Sequence, residues 1–113
     1  MEYRAEQRGE VLLIRIDERQ ATLRNGADGF RSDLEAFVRA GNRYIVLDFH
    51  AVQYADSTML GAILSVYGLL GEDEGDLVVC GIEGAVAEAF GLAGIDRIVR
   101  RFPSVELAVS ALA

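Results

Sequence analysis

The stretch "YIVLDFHAVQYADSTMLGAILSVYGLL" runs from Tyr44 to Leu70, and its two ends follow different periods. "YIVLDF" (Tyr44–Phe49) is an almost continuous apolar run rich in branched residues. That pattern suits a strand covered on both faces, as in a parallel sheet. From Ser57 to Gly71 there is no charge, and apolar residues recur at helical spacing. Leu60, Ile63, Leu64, Tyr67 and Leu70 make one stripe; Met59, Ala62, Val66 and Leu69 make a second. A helix apolar nearly all round is either buried or meets a partner on its outer face. A covered strand leading into such a helix is the repeating unit of an α/β sheet.

The flanking sequence extends this alternation. Tyr3–Gln7 reads as a polar strand, "RGE" (Arg8–Glu10) as a turn, and "VLLIRI" (Val11–Ile16) as an apolar strand, together a hairpin. "DERQATLRNGADG" (Asp17–Gly29) is polar and irregular. Phe30, Leu34, Phe37 and Val38 then mark a helix, with Gly41 in place to close it. Beyond the acidic turn "EDEGD", "LVVCGI" (Leu77–Ile82) is a strand and "GAVAEAFGLAG" (Gly84–Gly94) a short helix. "RIVRRF" (Arg97–Phe102) reads as a last, edge strand, and Pro103 and Ser104 open a terminal helix. The expected fold is therefore α/β: one domain over residues 1–113, a mixed five-stranded sheet with an N-terminal antiparallel hairpin, and about four helices.

Composition narrows the function. The chain is 113 residues long, 51% hydrophobic and 26% charged, as in an ordinary globular domain. Net charge is -7, and every one of its basic side chains apart from His50 is Arg. So acidic a domain is poorly suited to non-specific nucleic-acid binding, which depends on neutralising phosphates, and is repelled by anionic lipid. The N-terminus lacks an apolar leader segment, so no secretory signal is expected. The uncharged stretch after Asp56 falls short of the roughly 20 apolar residues of a membrane span. A cytoplasmic protein without membrane insertion is expected. Cys80, the single cysteine, reads as a buried apolar residue. Cys80 and the single histidine, His50, match no recognised ligand spacing, so neither a metal nor a cofactor is expected.

The chemistry gathers where the helix begins. Asp56 is a good N-cap and Ser57 nearly as good, since either side-chain oxygen can accept from first-turn amides. Ser57, Gly61, Ser65 and Gly68 lie four, four and three residues apart, a ridge of small side chains in line with the first hydroxyl. Each interior Gly costs about 1 kcal/mol of helix propensity relative to Ala, so the ridge implies close approach. Two uses fit: packing against a neighbouring helix of the same domain, or docking of another protein with Ser57 at the end of the contact. A phosphate on Ser57 would add roughly -1.5 to -2 charges. The helix N-terminus tolerates an anion, whereas Asp56 and an acidic or apolar partner would oppose it.

These residues resemble the STAS domain, and in particular the bacterial anti-sigma factor antagonists. The hairpin, "YIVLDFHAVQYADS", "TMLGAILSVYGLL", "DLVVCGI" and "AFGLAGIDRIVRRFPSVELAVSAL" carry the likeness over nearly the whole chain. The resemblance implies a binding protein whose serine after the aspartate, here Ser57, is phosphorylated by an anti-sigma factor that is also a serine protein kinase. The unphosphorylated form binds that kinase and frees a sigma factor; a phosphatase is a further expected partner. Asp56, Ser57, Thr58, Met59, Gly61 and Ser65 are the expected partner-binding residues. Met59 departs from the Gly usual in the family, and "DERQATLRNGADG" lacks the usual Gly-x-[Leu/Ile]-Asp opening.

Two rivals stand beside this reading. One is a non-phosphorylated STAS scaffold subunit of a stress-signalling complex or a lipid-transport ATPase. The other is a hydrolase using Ser57, His50 and an Asp, against which "ADSTM" lacks the glycine-flanked serine of a nucleophile elbow. No enzymatic activity is expected. The Walker A loop, which needs a Lys, is excluded by its absence, and the same absence disfavours a receiver domain, a family in which a Lys stands near the acceptor Asp.

Overall fold

The computed structural model describes residues 1–113. Strands β1 (Tyr3–Arg8) and β2 (Val11–Ile16) form an antiparallel hairpin in register from Tyr3↔Ile16 to Arg8↔Val11. Gly9 makes its turn at φ 63°, a left-handed conformation that glycine adopts without strain. Next come β3 (Gln20–Ala21), α1 (Ala27–Arg39), β4 (Tyr44–Asp48), β5 (Tyr54–Ala55) and α2 (Ser57–Gly71). The chain continues through β6 (Asp76–Cys80), α3 (Gly84–Leu92), a 3-10 turn at Ile95–Arg97, β7 (Arg101–Phe102) and α4 (Val105–Leu112).

The main sheet has the order β1-β2-β4-β6-β7, antiparallel at the hairpin and parallel from β2 onward. Alternate residues of β2 serve two cores. Leu12, Ile14 and Ile16 face α1, α2 and α3 with Phe30, Phe49 and Phe90, while Val11 and Leu13 face Val105 and Ala108 of α4. Phe49 and Phe90 meet edge to face at 5.8 Å and 82°, a favoured aromatic geometry. The apolar runs of β2, β4 and β6 thus have the cause expected of them: both faces are covered.

The last strand is shorter than its sequence suggests. Only Arg101 and Phe102 of "RIVRRF" join β6, opposite Val79 and Cys80. Arg97 ends the 3-10 turn, and the Val99 amide donates to the Ile95 carbonyl at 2.8 Å. Burial of Ile95 and Val99 curls the chain before it reaches the sheet edge. The polar segment 17–29 is also more ordered than expected. It holds β3, which pairs in parallel with β5 as a separate two-stranded sheet, and it already starts α1 at Ala27.

Candidate functional site

The parallel strands end on the side of the molecule where α1, α2 and α3 begin. The short β3–β5 sheet brings the loop after β2 against the start of α2. Asp56 fixes that junction. One carboxylate oxygen accepts from the Met59 amide at 3.1 Å, and the other accepts from the Leu23 amide at 2.9 Å. Its own amide donates to the Ala21 carbonyl at 3.3 Å. The expected N-cap is therefore present, and the same side chain ties a second segment to it.

Ser57 follows as the first residue of α2 and is exposed. Thr58 is half-buried. Gly61, Ser65 and Gly68 are exposed, and a Cβ built on Gly61 or Gly68 would meet nothing within 4 Å. The small-residue ridge therefore packs against no helix of this domain; it lies on the surface in line with Ser57. Beneath it, Met59, Ala62, Ile63, Val66 and Leu70 are buried, and Leu60, Leu64, Tyr67 and Leu69 are half-buried along its flanks. The helix presents an outer surface with no charged side chain in a protein of net charge -7.

Two exposed apolar side chains extend this surface, and sequence reasoning did not single them out. Leu23 is 55% exposed and Tyr54 is 51% exposed. Leu23 is the residue whose amide is held by Asp56, and Tyr54 pairs with Gln20 two residues before that aspartate. The available signal was a lone leucine and a tyrosine inside otherwise polar loops.

Met59 requires a correction. It is fully buried, at 0% exposure, in the core shared by the sheet and the three helices. It faces away from the ridge and does not present its side chain to a partner. Its place in the stripe with Ala62 and Val66 is the reason: those residues are also buried.

A second cluster lies at the ends of β4 and β6, on the sheet face that carries α4. Asp48 and Cys80 are register neighbours. The His50 amide donates to Asp48 Oδ1 at 3.0 Å, and the His50 ring contacts the same oxygen through Nδ1. Burial pushes the Cys80 thiol up to about 12, with the Asp48 charge adding to the effect. His50 is thus engaged by Asp48, and the Ser57 hydroxyl is hydrogen-bonded to neither, so these residues do not assemble a catalytic triad. No helix of the structure is long and apolar enough to cross a membrane.

Comparison with known proteins agrees with this architecture. The STAS domain family model matches residues 2–108. A putative anti-sigma factor antagonist, BtrV, from Bordetella bronchiseptica is 33% identical over 85 residues, spanning 75% of this chain and 73% of that protein. The crystal structure of a putative anti-sigma factor antagonist from Thermotoga maritima superposes with a TM-score of 0.89 at 20% identity, covering 97% of this chain and 93% of that one. The Bacillus cell fate determinant SpoIIAA shares the fold in two solved forms. Its unphosphorylated form gives a TM-score of 0.83 at 17% identity, covering 97% of this chain and 95% of its own. Its phosphorylated form gives 0.77 at 16% identity, covering 99% and 100%. A family match over nearly the full length, together with the sheet order and the Asp56-Ser57 helix start, places this chain in the STAS domain family.

Proposed function

We propose that this protein is an anti-sigma factor antagonist that works by partner switching. The observation that carries the reading is the exposure of Ser57 at the head of an exposed, charge-free ridge formed by Gly61, Ser65 and Gly68. In its unmodified form the protein docks an anti-sigma factor on α2 and the adjoining Leu23 and Tyr54 side chains, releasing a sigma factor in the cytoplasm. The anti-sigma factor, acting as a serine kinase, transfers phosphate to Ser57. A phosphatase resets the site. The protein acts by binding and not by catalysis.

The chemistry of the site supports the switch. A phosphoserine at the first residue of a helix lies at the positive end of the helix dipole, so the fold tolerates it. The same charge stands beside Asp56 and on the path of an incoming apolar surface, where like-charge repulsion and desolvation oppose docking. The names of its relatives support an anti-sigma factor as the partner class.

Incubation with the cognate anti-sigma kinase and ATP, followed by peptide mapping, tests the assignment. Single phosphorylation at Ser57, lost in Ser57→Ala with the circular dichroism spectrum unchanged, is the expected result. Modification confined to another residue overturns the site. Native co-purification with an ATPase and permease, and no kinase, would favour a scaffold role instead.

A further inference from the structure

We propose that Asp48, His50 and Cys80 form a binding site for a thiophilic divalent cation of the zinc class, separate from the docking surface on α2. One oxygen, one nitrogen and one sulfur donor from these side chains all lie within 4.8 Å of one another. They come from two parts of the sequence. Asp48 ends β4, Cys80 ends β6 directly opposite it, and His50 lies two residues beyond Asp48. This mixed set matches the ligand preferences of Zn²⁺ and Co²⁺, which accept carboxylate, imidazole and thiolate together.

Three such ligands, with water in the fourth position, can complete a tetrahedral ion. Bonds of about 2.0–2.3 Å place such ligand atoms roughly 3.3–3.7 Å apart. The His50 Nδ1 contact with Asp48 is closer than that, so binding requires the imidazole, whose side chain is 49% exposed, to turn. As it turns off the Asp48 oxygen it opens the gap that the ion fills. Both remaining ligands are buried and held by the strands.

The backbone is shaped around the imidazole. Gly81, next to Cys80, has φ +72°, and a Cβ there would lie 2.6 Å from the His50 ring atoms Cγ and Nδ1. A side chain at this position would expel the ring from the cluster. The Asp48 carboxylate is oriented by the His50 amide. The exposed edge of the cluster, His50, borders an open cleft of about 390 Å³ that Gln53 and Glu83 also line. Binding replaces the Cys80 S–H bond with a metal–sulfur bond and releases the proton to solvent; the resulting thiolate and the Asp48 carboxylate balance the dication.

The chain contains one histidine and one cysteine, so imidazole and thiolate signals can come only from this site. The test is a titration of the full, untagged, metal-stripped chain with Co²⁺, followed by competition with Zn²⁺. The expected result is one Co²⁺ per chain, a thiolate-to-cobalt charge-transfer band with tetrahedral ligand-field bands, and displacement by Zn²⁺. Cys80→Ser should abolish the charge-transfer band. His50→Gln and Asp48→Asn should each weaken binding at least tenfold. His50→Gln changes an exposed side chain, so it keeps the test decisive even where Cys80→Ser disturbs the fold. Absence of the charge-transfer band in the unaltered chain, an octahedral spectrum, or unchanged affinity in His50→Gln would each overturn the proposal.

Discussion

Helices α1 and α2 pack side by side on the same face of the sheet, and their inner faces are alike. Phe30 and Leu34 of α1 and Met59, Ile63 and Val66 of α2 enter one core. Their outer faces differ. That of α1 carries Asp28, Arg31, Asp33 and Arg39, all exposed. That of α2 carries Ser57, Gly61, Ser65 and Gly68, also exposed. Charge on an outer helix face keeps it solvated and resists association, and interface centres are depleted of charge. Burial alone therefore does not explain α2: its outer side forgoes the charges of its neighbour and accepts the propensity cost of two interior glycines.

The inner faces provide the largest expected effects. Phe30→Ala should destabilise the fold by about 3–5 kcal/mol and Met59→Ala by about 2–5 kcal/mol, as buried truncations do. Denaturant unfolding measures both, and a neutral Met59→Ala would break the equivalence of the two inner faces. The outer faces should then separate. Gly61→Arg should weaken binding of the anti-sigma factor about 100-fold, or roughly 2.7 kcal/mol, in calorimetric titration. Arg31→Glu on α1 should leave that affinity within about twofold, as for a surface change away from the contact. Equal losses from both substitutions would erase the proposed distinction.

The helix starts provide a smaller contrast. The N-cap of α1 is Gly26 at φ 95°, without a side-chain bond, whereas α2 is capped by the Asp56 carboxylate. Asp56→Ala should cost about 0.5–2 kcal/mol of stability. It should also accelerate amide exchange at Leu23 and Met59, the two donors it releases. The smallest effect sharpens the glycine argument. Added methyl groups at Gly29 of α1 or Gly61 of α2 would meet nothing within 4 Å. Gly29→Ala and Gly61→Ala should therefore each raise stability by about 0.5–1 kcal/mol, and only Gly61→Ala should reduce partner affinity.

The same contrast explains what the sequence made legible. β2, β4 and β6 were readable because double-sided burial leaves a continuous apolar run, and Asp56 was readable because capping requires an oxygen at the helix start. The exposure of Gly61 and Gly68 was not readable. Helical periodicity assigns residues to stripes, and with no charge on α2 nothing marks which stripe faces water. β3 and β5 were hidden because two-residue strands depend on loops meeting in space, and β7 because Ile98 and Val99 imitate a strand while the chain curls. The Asp48–His50–Cys80 cluster was invisible for a related reason: it exists only in the register between β4 and β6.

In the proposed switch, one phosphate on Ser57 removes the partner while leaving the fold intact. The direct measurement is the affinity of the purified anti-sigma factor for the unmodified chain and for the chain stoichiometrically phosphorylated at Ser57, with amide spectra recorded for both forms. A loss of at least 100-fold is expected, with spectral changes confined to the start of α2 and the Leu23 loop. Equal affinity for the two forms, or loss of affinity accompanied by global unfolding, would contradict it.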